Sequence, residues 1–167
     1  MLWVRDLNST EARMLAGTER AKAPFWSHDS KQIAFFAPTK LKKVSLSGGT
    51  PVTICEVPGF PSQGPTWGRD GMILFLTRDH GHYRVSDQGG AVEKLQPLLG
   101  FADYPNLLPD GKHFLYAKAG AKDGSGIYLA STDGQENRRL LPADFSRTAY
   151  SVTPEGKGYI LFVREDV

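Results

Sequence analysis

The chain alternates short apolar runs with turn-forming residues, and the whole pattern repeats along its length. Three stretches, APFWSHDSKQIAFF, GPTWGRDGMILFL and YPNLLPDGKHFLY, share a proline, a large apolar residue and an aspartate in the same order. The aspartates, Asp29, Asp70 and Asp110, lie 41 and 40 residues apart. A weaker fourth copy, AYSVTPEGKGYILFV, places Glu155 a further 45 residues along. A period of about 40–45 residues predicts a protein assembled from repeated units.

Each copy predicts four strands. The first ends at the large apolar residue, and in the turn that follows (DSK, RDG, PDG or PEG) Asp-Gly favours a two-residue hairpin. The second strand is apolar at nearly every position (QIAFFA, MILFLT, HFLYAK, YILFVR), which is typical of a strand buried on both faces. The third alternates (KLKKVSLS, HYRVSD, GIYLAST), which indicates one buried and one solvated side. The fourth is short and polar, as suits an outer edge.

The repeats predict an all-β fold, a β-propeller of four-stranded antiparallel blades. Whole blades are expected at about residues 21–57, 62–98 and 103–142. Residues 1–18 match a third and fourth strand, and residues 148–167 match a first and second. The single propeller domain therefore contains three whole blades and two complementary half-blades, which is four blades' worth of sequence.

The two half-blades leave the ring size open. Pairing them within one molecule would close a four-bladed ring, and pairing them between two molecules would close an eight-bladed homodimer. If neither pairing occurs, the chain is part of a longer propeller. Wide residues that fill wedge-shaped spaces favour the dimer or the longer propeller over the four-bladed monomer: Trp26, Trp67, Phe35, Phe75 and Phe114.

The stretches PFWSHDSKQIAFF, TWGRDGMILF, PDGKHFLY and GIYLASTDG resemble the WD40-like PD40 repeats of TolB-type propellers. They resemble in particular the propellers attached to certain bacterial serine/threonine protein kinases. The resemblance extends over the whole chain, with departures at Ser30, where glycine is usual, and at Leu107, where tryptophan is usual. It implies a sensory or scaffolding role beside a kinase domain, although this sequence itself carries no kinase motif.

Composition narrows the classes of partner. The 20 Lys and Arg residues barely exceed the 18 Asp and Glu residues, so we expect no nucleic-acid binding. No apolar run is long enough to span a bilayer, and we expect no membrane contact by this segment. The compartment is open: no signal peptide is visible, yet a membrane-anchored kinase sensor would place the chain outside the cytoplasm. The single cysteine, Cys55, excludes an intrachain disulfide, and we expect an inert thiol.

Candidate chemistry is sparse, and we predict no catalytic residue, metal or cofactor. Residues 124–126 (GSG) lack the spacing of a nucleophile elbow. His80 and His82, with Asp79 beside them, could face one ion from a strand, but no further His or Cys lies nearby. The Gly-Gly turns precede strands, whereas a phosphate loop needs a following helix.

Binding is expected on the face that carries the blade-to-blade loops and the loops between second and third strands. Their mixed charges and scattered aromatic residues are typical of a surface that binds a protein or peptide. The candidate ligand-binding residues are Arg20, Lys22, Asp79, His80, His82, Asp103, Tyr104 and Arg147.

The function predicted from the sequence is a non-enzymatic interaction or scaffold module. It would bind a protein segment or a small ligand on the loop face or in the central channel. One alternative is a propeller fragment that gates substrate entry in a hydrolase or lyase. Another is a chain made to study propeller assembly, with no cellular ligand.

Overall fold

The structure, a computed structural model, describes residues 1–62, 64–79, 81–95, 101–119, 124–144 and 147–164, with the backbone alone for residues 101 and 102. Every helix or strand within these ranges is a β-strand. The strands are β1 (Leu2–Arg5), β2 (Ala12–Leu15), β3 (Lys22–Trp26), β4 (Gln32–Ala37), β5 (Lys40–Ser45), β6 (Val52–Glu56), β7 (Thr66–Trp67), β8 (Met72–Leu76), β9 (His82–Ser86), β10 (Glu93–Lys94), β11 (Phe101–Leu107), β12 (His113–Ala119), β13 (Gly126–Ser131), β14 (Asn137–Leu141), β15 (Ala149–Val152) and β16 (Gly158–Leu161).

Consecutive strands pair into antiparallel sheets. Strands β3 to β6, β7 to β10 and β11 to β14 form three four-stranded sheets, each in simple chain order. Strands β1 and β2 form one two-stranded sheet, and β15 and β16 form another. This arrangement confirms the predicted all-β fold of four-stranded antiparallel blades. We call the two smaller sheets the N-terminal and C-terminal half-blades.

The second strand of each whole blade is buried on both faces, as its apolar sequence predicts. In β4, Phe35 packs toward Leu15 of the N-terminal half-blade. The next residue, Phe36, points to the opposite face and meets Phe75 of β8, with ring centroids 5.7 Å apart. Burying one such side chain stabilises the fold by about 1.5–3 kcal/mol. The apolar layers between blades therefore hold consecutive sheets together.

The same alternation continues through the rest of the chain. In β8, Leu74 points away from the first blade and packs against Phe114 of β12. On the far side of β12, Leu115 belongs to a cluster that includes Ile160 of the C-terminal half-blade. A polar contact supplements the layer between the first and second blades, where Lys43 of the first lies 3.9 Å from Asp87 of the second.

The half-blades have one packed face and one open face. Leu2 and Val4 pack inward against the first whole blade, whereas their neighbour Trp3 is exposed. In the C-terminal half-blade, Ile160 packs inward while Leu161 is 74% exposed. Among the described strands, β1 pairs only with β2 and β16 only with β15. The half-blades therefore do not pair with each other inside one chain, and the four-bladed monomer is not observed.

The turns between first and second strands are longer than the predicted two-residue hairpin. Only the residue after the acidic one has a positive φ: Ser30 (58°), Gly71 (80°), Gly111 (68°) and Gly156 (83°). The aspartate itself does not have a positive φ, and its carboxylate caps the turn. In each whole blade this carboxylate accepts the backbone N–H two residues on, at 2.9–3.1 Å. The predicted turn-forming role of the repeated aspartate is thus confirmed.

The two tryptophans predicted to fill wedge-shaped spaces differ. Trp67 is 8% exposed, lies in the layer between the first and second blades, and donates from Nε1 to Asp87 Oδ2 at 3.1 Å. Trp26, at the matching position, is 51% exposed. It faces the N-terminal half-blade, which supplies only two strands, so the prediction that Trp26 fills the interior was wrong.

Candidate functional site

The first strands of four consecutive sheets, or the residues just before them, converge on one groove. Its volume is about 630 Å³, within the range of about 300–1,000 Å³ typical of ligand sites. We call it the inner-strand groove. It is lined by residues 22–25; 61, 62, 64 and 65; 78; 104–106; and 147–149.

A repeated backbone feature shapes the groove. Ala23 (φ 44°), Gly64 (φ 86°) and Tyr104 (φ 58°) are all left-handed, and each immediately precedes a proline. At Ala23 and Tyr104 the pairing with the second strand shifts by one residue, which defines a β-bulge. Bulges of this kind bend a strand and are common beside binding sites. All three left-handed residues line the groove.

At these left-handed residues, the second and third blades come into close contact. A Cβ atom added at Gly64 would lie 3.0 Å from the Cα atom of Tyr104 and 3.1 Å from its ring. Glycine is therefore required at position 64 on two grounds, its positive φ and the approach of another backbone. Ala23 and Tyr104 hold the same conformation without being glycine, which stores strain of order 1–3 kcal/mol at each residue.

Polar bonds tie adjacent blades together at the groove. Asn106 Nδ2 donates to the Tyr104 carbonyl at 2.9 Å and to the Thr148 carbonyl at 3.1 Å, which links the third blade to the C-terminal half-blade. Ser62 donates from Oγ to Asp103 Oδ1 at 3.0 Å, which links the second blade to the third. Hydrogen bonds between neighbouring sheets therefore hold the walls of the groove in place.

The groove is positively charged. Three cationic residues line it, Lys22, Arg78 and Arg147, and no carboxylate residue is among the lining residues that the structure describes. The guanidinium of Arg147 lies over the Tyr104 ring, 5.7 Å from its centroid, a cation–π contact. Within the described part of the chain, none of the three cations takes part in an ion pair.

The structure brings together some of the residues predicted to bind a ligand and separates others. Lys22, Tyr104 and Arg147 line the groove. Arg20 is exposed in the loop between β2 and β3, outside the lining. Asp103 is partly buried beside the groove, where it accepts the Ser62 hydrogen bond.

The loop between β8 and β9 gives a different outcome. Asp79 is exposed outside the groove, and His80 lies outside the described residues. His82 was predicted on the loop face, whereas in the structure it is buried at the start of β9, opposite Leu76. Its imidazole faces the interior because the first residue of β9 points into the sheet layer.

Several groove residues were missed by sequence reasoning. Arg78, Asn106 and Thr148 were not singled out, because their contacts depend on pairing between blades. One signal was available: a residue before proline recurs with the repeat period at positions 23, 64 and 104. That spacing indicates a recurrent special backbone geometry.

Reactive chemistry is sparse in the described residues. No group of three or more His, Cys, Asp or Glu side chains there is arranged to hold a metal ion. Burial raises the pKa of the Cys55 thiol to about 11, so this thiol stays protonated at neutral pH. Nor does that part of the chain contain a helix long and apolar enough to cross a membrane.

One ionisable cluster lies away from the groove, in the third blade. His113 Nδ1 is 2.6 Å from Asp110 Oδ2, and His113 Nε2 is 3.3 Å from Glu136 Oε2. The hydrogen bond to Asp110 raises the pKa of His113. Desolvation opposes ionisation of Asp110, but hydrogen bonds from His113 and Lys112 outweigh it and lower the pKa of that carboxyl. The cluster therefore clamps the turn before β12 to the turn before β14.

No protein-family model matches this chain, and no curated protein matches it in sequence. Among solved structures, TolB from Acinetobacter baumannii is similar with a TM-score of 0.74 and 19% identity, over 99% of this chain and 43% of that one. An oligogalacturonate lyase in complex with manganese is similar with a TM-score of 0.71 and 15% identity, over 95% and 52%. A chain of a nidogen/laminin complex is similar with a TM-score of 0.65 and 16% identity, over 82% and 54%.

These similarities establish a TolB-like β-propeller fold, and at such identities they establish the fold alone. The chain spans about half the length of the structures described above. The resemblance to kinase-attached propellers stays a prediction from the sequence.

Proposed function

We propose that this chain is a non-catalytic binding module that holds a protein segment or a small ligand in the inner-strand groove. The observation that carries the proposal is the convergence of four consecutive sheets on one groove of about 630 Å³. Bonds between blades fix its walls, as when Asn106 links Tyr104 to Thr148. A preformed site of this kind binds with little loss of conformational entropy.

The similar propellers favour a protein ligand. One of them is a chain of a nidogen/laminin complex, which is an assembly of proteins. A finer role, as the sensor or scaffold region of a bacterial kinase, is supported by the sequence resemblance alone.

A second candidate is a propeller that gates substrate entry in a hydrolase or lyase. The observation that favours it is the similarity to an oligogalacturonate lyase. The discriminating evidence is the nature of any adjoining domain in the reading frame. A kinase domain supports the binding module, and a hydrolase or lyase domain supports the gate.

The test is selection of ligands from a random peptide library displayed on phage. Ala149 lines the groove and is exposed, so Ala149→Trp would obstruct part of the groove. Val52, exposed on the outer strand β6, provides the matched control Val52→Trp. Selected peptides should lose at least about tenfold in affinity for the first variant and keep it for the second. Failure to enrich any peptide, or equal binding to both variants, would refute the protein-binding role.

We further propose a homodimer in which each open half-blade pairs with the complementary half-blade of a second copy. Two strands from each, β1 with β2 and β15 with β16, would complete a four-stranded blade like the other three. Exposed apolar residues, including Trp3 and Leu161, would then be buried between blades. Deleting residues 159–167 should abolish the dimer in light scattering. A dimer that persists after this deletion would exclude exchange of half-blades.

A further inference from the structure

We propose that the inner-strand groove selects an acidic peptide segment, one whose Asp or Glu side chains reach the three cations of the groove. This inference rests on the proposed binding function and adds the chemical class of the ligand. The three cations come from separate parts of the fold: Lys22 lies in β3, Arg78 after β8 and Arg147 before β15.

The charge distribution is the first observation that favours an acidic ligand. Elsewhere some described cations form ion pairs, as Lys40 does with Glu56 and Arg84 with Glu93. The three groove cations have no such partner among the described residues, and the lining contributes no carboxylate. The carboxylate of Asp103, which accepts a hydrogen bond from Ser62 beside the groove, brings one negative charge against the three cations. A ligand that brings carboxylates therefore meets a net excess of positive charge.

One cation is held in position. The Arg147 guanidinium lies over the Tyr104 ring, and Tyr104 is itself fixed on a left-handed bulge. Arginine offers parallel N–H donors that match the two oxygens of a carboxylate. A guanidinium held by an aromatic ring loses less conformational freedom on binding, because part of its ordering is already present in the free protein.

The rest of the lining favours a peptide over other anions. Prolines and an aromatic ring supply apolar walls between the cations: Pro24, Phe25, Pro61, Pro65 and Pro105. Such a wall accommodates the apolar parts of a peptide chain, whereas a free phosphate would leave it unused. Nucleic acid is disfavoured because the net charge is only +2. Stacking platforms for bases are also few, since the Tyr104 face is occupied by Arg147.

The experiment measures fluorescence anisotropy with a labelled peptide that alternates glutamate and glycine. A glutamine–glycine peptide of equal length and an oligothymidylate of equal charge serve as comparison probes. The glutamate peptide should bind at least about tenfold more tightly than the glutamine peptide, and raising the salt concentration should shrink this difference. Equal affinity for both peptides, or tighter binding of the oligothymidylate, would overturn the proposal.

Substitutions of the three cations test whether the glutamate peptide binds in the groove. Each of Lys22→Gln, Arg78→Gln and Arg147→Gln should weaken the glutamate peptide about two- to fivefold, and all three together at least about tenfold. The exposed Lys112, in a turn outside the groove lining, provides the control Lys112→Gln, which should leave affinity unchanged. A loss of the same size in the control would place binding elsewhere and overturn the proposal.

The two proposals fail in different ways. If Ala149→Trp blocks peptides that carry no charge, the groove binds peptides and only the acidic preference is wrong. If Ala149→Trp blocks nothing and the glutamate peptide does not bind, both proposals fall.

Discussion

Leu74 and Leu161 lie on the same side of their sheets, the side away from the preceding blade, yet their environments are opposite. Leu74 is 1% exposed because the third blade packs over it, in contact with Phe114. Leu161, in the C-terminal half-blade, is 74% exposed. The sequences around them, MILFL and YILFV, have the same apolar pattern. The pattern encodes a strand with a neighbour on each face, and burial depends on whether both neighbours are present.

This contrast implies that the whole blades and the half-blades contribute unequally to the stability of the fold. Phe35 in β4 has apolar layers on both sides of its sheet and is fully buried. Trp3 in β1 has a packed sheet behind it and no covering layer in the described chain. The whole blades should therefore carry most of the stability of the isolated chain, and the half-blades should respond most strongly to a partner.

The largest expected effect comes from comparing the two leucines directly. Leu74→Ala leaves a cavity between two blades and should lower the free energy of unfolding by about 2–5 kcal/mol. Leu161→Ala removes an exposed side chain and should change it by no more than about 0.5 kcal/mol in the monomer. Urea denaturation at low protein concentration measures both.

Raising the protein concentration sharpens the same comparison. If a second copy covers the C-terminal half-blade, Leu161→Ala should weaken dimerisation in sedimentation experiments, whereas the exposed control Val52→Ala should not. Equal stability losses for Leu74→Ala and Leu161→Ala in the monomer would contradict the assignment of one covered and one open face.

The next effect concerns the close approach of Gly64 to Tyr104, which belong to neighbouring blades. Gly64→Ala combines a positive φ with a Cβ 3.0 Å from the Tyr104 backbone, and should destabilise by about 2–4 kcal/mol. Gly48→Ala is the matched control, since Gly48 also has a positive φ but no atom within 4 Å of the added Cβ. Its expected cost is about 1 kcal/mol. Thermal denaturation separates the two, and equal losses would mean that crowding at Gly64 is relieved by a small backbone shift.

The fold was largely predictable because the same local sequence pattern recurs in each repeat. The second strands are apolar throughout, as in QIAFFA, and the capping aspartates recur at nearly constant spacing. Patterns of this kind specify strands and turns without knowledge of distant contacts. The exposure of Trp26 was not predictable, because it depends on how many strands the neighbouring sheet supplies.

The groove was predictable only in part. Loop position indicated Lys22, Tyr104 and Arg147 as residues on one face. Their convergence with Arg78 depends on how consecutive sheets pack, which no local pattern records. The interior position of His82 illustrates the same limit, because a shift of one residue in strand register exchanges the inner and outer faces.

A smaller effect tests the turns, where the first blade departs from the other copies. Ser30 has a φ of 58° where the other three turns have glycine. Ser30→Gly removes that strain and should stabilise by about 0.5–1 kcal/mol, after allowing for the greater freedom of glycine in the unfolded chain. The reverse change, Gly71→Ser, should destabilise by a similar amount. Chemical denaturation of both variants is the measurement, and a loss on Ser30→Gly would mean that this serine has a further role.

The smallest expected effect comes from the clamp that only a whole blade can form, since it joins the turn before β12 to the turn before β14. The hydrogen bond to Asp110 raises the pKa of His113 above the ordinary value of 6.5. The clamp therefore stabilises fully at pH values below 6.5 at which Asp110 is still ionised, and its contribution disappears as the pH rises through the folded-state pKa of His113. Denaturation midpoints measured across this range should fall for the unaltered protein and stay flatter for His113→Gln. The difference should be slight because all three side chains are partly exposed to solvent, which screens their charges. An identical pH profile in both proteins would show that the clamp does not contribute to stability, leaving the layers between blades as the source of cohesion.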